Sequence, residues 1–411
     1  MSDLSLTARP DLARSAPPVN LPVAGIAAAL LGLGTLWLAE TVSWRQATLF
    51  VVGGAMGLVL YHAQFGFTSA FRVFLSDRRG AGLRAQMAML ALACLLFFPA
   101  LAAGSLFGMP VKGNVDPVGL SVLVGAFLFG IGMQLGAGCA SGTLYTVGGG
   151  STRMVITLIF FVAGSALGAR HLDWWEATPH VAGISLLNTF GLAPALLLNL
   201  AVFAAIAGAT VLLERRRHGR LLPANAGTAI GWRRALQGPW PLIAGALALA
   251  LLNFATLSLA GRPWGITSAF ALWGSKLLGA VGLDVAAWPY WASPARAAQL
   301  TGSLATDTTS VMDFGIVIGA LVAAGLADKF APVWRIPARS LLAAVVGGML
   351  MGYGARLAYG CNIGAYFSGI ASASVHGWVW FAAALAGSYI GTWLRPAFGL
   401  AVERTPRQTG C

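Results

Sequence analysis

Ten stretches of apolar residues run through this chain, each close to the length that crosses a bilayer. They leave few alternatives for its fold. A helix needs about 20 apolar residues to span the hydrocarbon. Such stretches lie near 22–39, 47–63, 85–107, 117–137, 152–170, 191–213, 240–260, 312–328, 339–358 and 376–394. Charge points the same way. Only 9% of the 411 residues are charged and 57% are hydrophobic, with a mean hydropathy of +0.76. A soluble domain carries about 25% charged residues, so this chain could not cover a water-facing surface. The fold class is an all-α polytopic membrane protein. Four shorter apolar pieces, near 67–75, 140–148, 266–279 and 363–372, are too short to span. They read as re-entrant half-helices, tolerated where their freed backbone is buried in protein or lines a cavity.

The 26 Lys+Arg outnumber 13 Asp+Glu, giving a formal net charge of +13. In a membrane chain this excess is an orientation signal rather than a nucleic-acid footprint. With the N-terminus inside, the inner loops hold Arg78, Arg79, Arg84, Arg153, Arg215 to Arg217, Arg220, Arg233, Arg234, Lys329, Arg335 and Arg339; the tail adds Arg395, Arg404 and Arg407. Outer loops hold Glu40, Asp116, Asp173, Glu176, Asp284 and Asp307. Both termini are therefore expected in the cytoplasm. The N-terminal segment lacks a cleavable-signal pattern, so the first span is expected to be retained. The outer loop 281–311 carries Trp and Tyr and is expected to lie on the membrane surface.

Two internal matches divide the chain. "GIGMQLGAGCASG" at 130–142 aligns without a gap on "GYGARLAYGCNIG" at 352–364. Gly130 meets Gly352, Gly138 meets Gly360, Cys139 meets Cys361 and Gly142 meets Gly364. "FGFTSAF" at 65–71 aligns on "WGITSAF" at 264–270, identical at five of seven positions. Small-residue spacing is common in membrane helices, but two different motifs in one order argue for duplication. The expected units are a tail at 1–20, a first repeat at 21–190, a second at 191–394 and a tail at 395–411. Five spans in each half would invert the second repeat relative to the first, as in secondary transporters.

Two inverted repeats would set Cys139 and Cys361 toward the two ends of one path. Gly138 and Gly360 would supply a sharp turn, because glycine accepts positive φ. The helix starts behind them leave N–H groups unpaired and partially positive, a setting for an anion. Arg356 brings a cation to membrane depth, which is costly unless paired and is usually functional; its counterpart is Gln134. Thr68, Ser69, Thr267 and Ser268 offer hydroxyls, which could also cap their half-helices. Arg72 and Lys276 could draw an anion in or sit as interface cations. His62 and Gln64 are weaker candidates, and Cys94 and Cys411 have no counterparts. No metal-ligand spacing and no nucleotide loop occurs, so no cofactor is expected.

The paired G-C-x-x-G elements and the G-F-x-x-A-F-R element resemble the YeeE/YedE family of bacterial sulfur-compound transporters, over about 50–394. The resemblance implies an inner-membrane, hourglass-like protein that passes thiosulfate inward past cysteines, with Cys139 and Cys361 at the family's repeat positions. Many members have a further cysteine in the first G-F-x element; here Thr68 stands in that stretch. A neutral thiol is a weak donor that could touch a terminal sulfur and release it, whereas a thiolate would repel a dianion. Both cysteines are therefore expected to stay protonated. The expected partners are a small sulfur-containing anion, the lipid bilayer and a cytoplasmic sulfur-carrier or sulfurtransferase protein, with no nucleic acid. The alternatives are a membrane thiol enzyme or persulfide relay, disfavoured because no attacking and resolving thiols are adjacent in sequence, and a non-transporting membrane partner of a sulfur-handling protein.

Overall fold

The computed structural model describes residues 19–223 and 231–405; Cys411, Arg407 and most of the N-terminal tail fall outside the described residues. About 75% of the described residues are helical. The first half contains α1 (Leu21–Thr41), α2 (Trp44–Ala63), α3 (Phe67–Asp77), α4 (Ala81–Ala103), α5 (Leu120–Gly136), α6 (Ala140–Gly148) and α7 (Thr152–Glu176). A short α8 (Leu186–Phe190) leads into α9 (Leu192–His218), and α10 (Trp232–Gln237) precedes the second half. There follow α11 (Leu242–Ala260), α12 (Thr267–Ala280), α13 (Pro294–Thr301), α14 (Thr308–Leu326) and α15 (Ala338–Leu357). A π-helical turn, Asn362–Phe367, runs into α16 (Ser368–Ala371), and α17 spans Val375–Leu394. Two antiparallel pairs of two-residue strands, Ser105–Leu106 with Met109–Pro110 and Val118–Gly119 with His180–Val181, tie loops together.

Among the described residues, nine helical segments are long and apolar enough to cross a membrane. At 1.5 Å per residue, the 20-residue α17 also has the length. Side-chain caps set several starts: Ser43 accepts from Gln46 N at α2, and Asp307 from Ser310 N at α14. The four short apolar pieces are helices: α3, α6, α12 and the π-helical turn with α16. Each follows a break in a longer segment.

Packing repeats across the halves. Helix α2 packs on α14, and α11 on α4; α7 packs on α15, and α17 on α5; α1 packs on α14, and α9 on α4. Helices α12 and α3 lie against α7 and α17 respectively, while α5 meets α15 and α2 meets α11 across the middle. Exchanging the two halves turns each of these pairs into another on the same list or into itself. Glycine lets these helices approach at backbone distance, the usual device where lipid supplies no hydrophobic drive. A Cβ at Gly125 would lie 2.7 Å from Gly354 O, and one at Gly354 2.4 Å from Gly125 O.

Part of the loop expected on the membrane surface packs onto the helices. Trp288, Tyr290 and Trp291 are buried against Ala169, Leu172, Ala271 and Leu272. Cations hold them there: Arg170 lies over Trp288, and Arg296 and Arg356 over Tyr290.

Candidate functional site

The two cysteines lead the two short helices of the repeat motif. Cys139 is the residue before α6 and Cys361 the residue before the π-helical turn. Neither lies at an open mouth, since Cys139 is 1% exposed and Cys361 fully buried. They are near enough to each other for charge on one to be felt at the other. The Cys139 thiol rests 3.4 Å from Ser141 Oγ, and Cys361 Sγ accepts from Ile363 N at 3.4 Å.

The sharp turns before them differ from expectation. Gly138 is not in the positive-φ region, and Gly360, at φ 159°, lies near its extended limit. The left-handed residues are Ala137 (φ 66°) and Tyr359 (φ 54°), matched positions one residue earlier. A side chain there costs about 1–2 kcal/mol, and such outliers cluster at functional sites. Gly360 is needed for space, because backbone stands close, whereas at Gly138 the close neighbour is the flexible end of Met154. A Cβ at Gly360 would lie 2.7 Å from Ala365 N, and one at Gly138 2.8 Å from Met154 Cε.

Helix starts meet in pairs. Thr68, in the first turn of α3, lies beside the Cys139 thiol. Gln134 closes the same corner, with Nε2 donating to Thr68 O at 3.2 Å. The Thr68 hydroxyl and Gln134 Oε1 are buried without hydrogen-bond partners. In the second half the segment before α12 meets the π-helical turn: a Cβ at Gly364 would lie 4.0 Å from Gly265 Cα. Thr267 is buried in that first turn, and Ser268 Oγ donates to Thr309 Oγ1 at 3.2 Å.

Other expected residues are engaged elsewhere. Ser69 bonds Gly66 O at 3.1 Å and lines a cavity. Arg72 makes a two-pronged ion pair with Glu403, both bonds 2.7 Å. Burial opposes the Glu403 charge, but Arg72's bonds and charge outweigh it and hold that carboxyl below its usual range. Lys276 Nζ donates to the carbonyls of Leu300 and Gly302. Arg356 donates to Tyr290 Oη at 2.6 Å, which ties it to the loop packed on the helices. His62 is buried against the Trp240 ring, and Gln64 lines the same cavity as Ser69.

Two cavities open at opposite ends of α4. One of about 400 Å³ is lined by Gln64, Ser69, Arg79, Ala81, Gln86 and Tyr145. The other, about 870 Å³, is lined by Leu101, Lys112, Asn114, Asp116, Arg262 and Ser372. Between them Tyr366, fully buried, is stacked on Trp380 and Phe381 and donates to Gln86 Oε1 at 3.3 Å.

Two buried groups escaped sequence reasoning. Gln86 and Asp313 are each the sixth residue of their helix, α4 and α14, and both are fully buried. Gln86 Nε2 and both Asp313 carboxyl oxygens lack hydrogen-bond partners. An acid inside the apolar stretch 312–328 was the available signal, since such residues are rare and functional in membranes.

Comparison with known proteins matches these features to a lineage. A family described as "Sulphur transport" matches residues 62–390. The thiosulfate transporter TsuA of Spirochaeta thermophila is 28% identical over 369 residues, 84% of this chain and 98% of that protein. TsuA of Escherichia coli K12 is 24% identical over 366 residues, 84% of this chain and 93% of that protein. The probable transporter YedE of Escherichia coli K12 is 32% identical over 168 residues, and the match spans 40% of each chain. The matched region takes in both cysteine-led breaks and both G-x-T-S-A-F elements, and this chain belongs to the sulfur transport family.

Proposed function

We propose that this protein imports thiosulfate or a closely related sulfur-containing anion across the bacterial inner membrane. The observation that carries the reading is the convergence of helix starts in the closed interior: α3 with α6 at Thr68 and Cys139, and α12 with the π-helical turn at Gly265 and Gly364. Helix starts present unpaired N–H groups and partial positive charge, which lets a protein hold an anion without burying a fixed cation. A fixed cation would bind a dianion too tightly to release it. Passage needs contacts favourable enough to enter and weak enough to leave. Two neutral thiols and the unpartnered Thr68 hydroxyl supply such contacts.

On this reading the repeats, 21–190 and 191–394, are inverted, and the exchange of packing partners between halves supports it. The 400 Å³ cavity, bordered by Arg79, opens to the cytoplasm, as do both termini. The 870 Å³ cavity opens outward. Cys139 and Cys361 mark the two ends of the occluded stretch between them, and Tyr366 must shift for the anion to pass. Gln134, Gly138, Gly360, Ser69, Thr267 and Ser268 shape that stretch. Arg72, Lys276 and Arg356 act on it indirectly, by holding its walls. A cytoplasmic sulfur carrier would receive the ion at the inner face.

The test is a labelled-anion uptake panel in a bacterial strain lacking its own sulfur importers. Thiosulfate should accumulate and be competed by related sulfur anions in preference to phosphate. Uptake no greater than in the empty strain would overturn the reading.

A further inference from the structure

The second half holds a charge cluster with one cation and two acids. Asp307, at the start of α14, accepts from Ser310 N at 2.8 Å and from Ser310 Oγ at 2.7 Å. A carboxylate so placed caps the helix start. Arg262 bonds Thr309 Oγ1 at 3.0 Å, one turn along α14 from Asp313. It feels the charge of both Asp307 and Asp313, so one cation serves two acids and the cluster carries one acid in excess. Asp313 is left fully buried, with neither oxygen hydrogen-bonded and no cation within ion-pair distance. It is also near enough to Cys361 for the two to interact.

Among the described residues of the helices packed against α14, no other titratable group pairs with it. On helices packed against α14, His62 faces Trp240 and Lys329, and Tyr61 faces Tyr145. Arg45 lies over Trp44, Lys276 holds loop carbonyls, and Arg234 bonds Pro239 O. Glu40 is exposed on α1. A bare carboxylate in such a site is costly, and a dianion drawn past Cys361 would make it costlier.

We propose that Asp313 is a proton-binding site and that anion entry is coupled to it, making the protein a proton–anion symporter. This rests on the transport reading. In each cycle a proton from the outer cavity forms an O–H bond with Asp313, which neutralises the cluster and admits the anion. The same bond breaks when the proton leaves to water on the inner side, and no electrons move. One proton per thiosulfate leaves a single net negative charge to cross. Gln86, at the matched position of α4, is permanently neutral, so Asp313 has no titrating counterpart in the first half.

The experiment uses the full chain in liposomes with a lumenal pH dye, labelled thiosulfate and a clamped membrane potential. Wild type should acidify the lumen as thiosulfate enters, and its uptake should fall by about tenfold per pH unit on the alkaline limb, as for one protonated group. Asp313→Asn should lose accumulation driven by an acid-outside gradient, and its thiosulfate exchange should no longer depend on pH. Asp313→Glu, which keeps the acid, should retain the pH slope and guards against a folding defect in the amide variant. Thiosulfate entry without proton movement in wild type, or an unchanged slope in Asp313→Asn, would overturn the coupling while leaving transport intact. If wild type takes up no sulfur anion, the transport reading fails, and infrared spectroscopy still decides protonation. A protonated-carboxyl band present in wild type and absent from Asp313→Asn supports the proton site; its absence from wild type overturns it.

Discussion

The two halves build the same corner with different chemistry. Around Cys139 the described residues include no acid: Thr68, Gln134, Ser141 and, further along, Gln86 are neutral, and the cations Arg153 and Arg395 donate to the backbone carbonyls of Leu135, Gly136 and Gln134. Around Cys361 the same scaffold carries Arg262, Asp307 and Asp313. A repeat that keeps its backbone breaks, down to the left-handed residues Ala137 and Tyr359, yet changes the charge around them, separates two duties. On the proposed reading the breaks make the conduit, and Asp313, in the second half, adds the proton site.

The comparison breaks most visibly if charge is moved between halves. Gln86→Asp would place an unpaired acid at the matched position of the first half and draw the acceptor back from Tyr366 by one methylene. An uncompensated buried charge costs about 3–5 kcal/mol, so thermal unfolding in detergent should drop sharply and uptake should cease. A wild-type melting curve would show that the two halves tolerate charge alike.

Close packing gives the next largest effect. A Cβ at Gly319 would lie 1.9 Å from Gly54 O. Gly319→Val should exceed the roughly 1–3 kcal/mol of ordinary overpacking, because backbone rather than a side chain is struck. Gly208, where a Cβ meets nothing within 4 Å, is the control. Equal yields of folded protein for valine at both positions would contradict the packing account.

Thr68→Val separates function from stability. The hydroxyl has no partner to lose, so stability should hold or rise by up to about 1 kcal/mol, while thiosulfate uptake falls. A clear loss of stability would recast Thr68 as structural.

The smallest effect belongs to the strap formed by the C-terminal segment. Glu403 pairs with Arg72 and is 41% exposed, so the pair is worth at most about 1 kcal/mol after solvent screening. The folded-state carboxyl is held below its usual range. Its stabilisation is therefore present above the unfolded value near 4.3 and lost as pH falls through the folded value. Glu403→Gln should flatten that acid-side loss, measured by melting temperature against pH; an unchanged profile would mean the pair contributes nothing.

Sequence made the breaks legible because Gly, Cys and Thr recur at one spacing, and the four short pieces did fold as helices. Spans were legible from hydropathy alone. What it hid depends on contacts between distant segments. Arg356 reads as a membrane-depth cation, yet one of its nitrogens is held by Tyr290, from a loop expected on the surface. Arg72 and Lys276 read as free cations, but Glu403 and two loop carbonyls claim them. Gln86 and Asp313 have no motif around them, and only superposed packing makes them counterparts.

The central claim is that the two cysteine-led breaks line the path of a sulfur anion. Labelled thiosulfate uptake into liposomes by the paired variant Cys139→Ala/Cys361→Ala tests it most directly. Each lost contact of about 1 kcal/mol should slow uptake several-fold, and both together by about tenfold or more, in protein that melts like wild type. Uptake equal to wild type in that variant would contradict the claim.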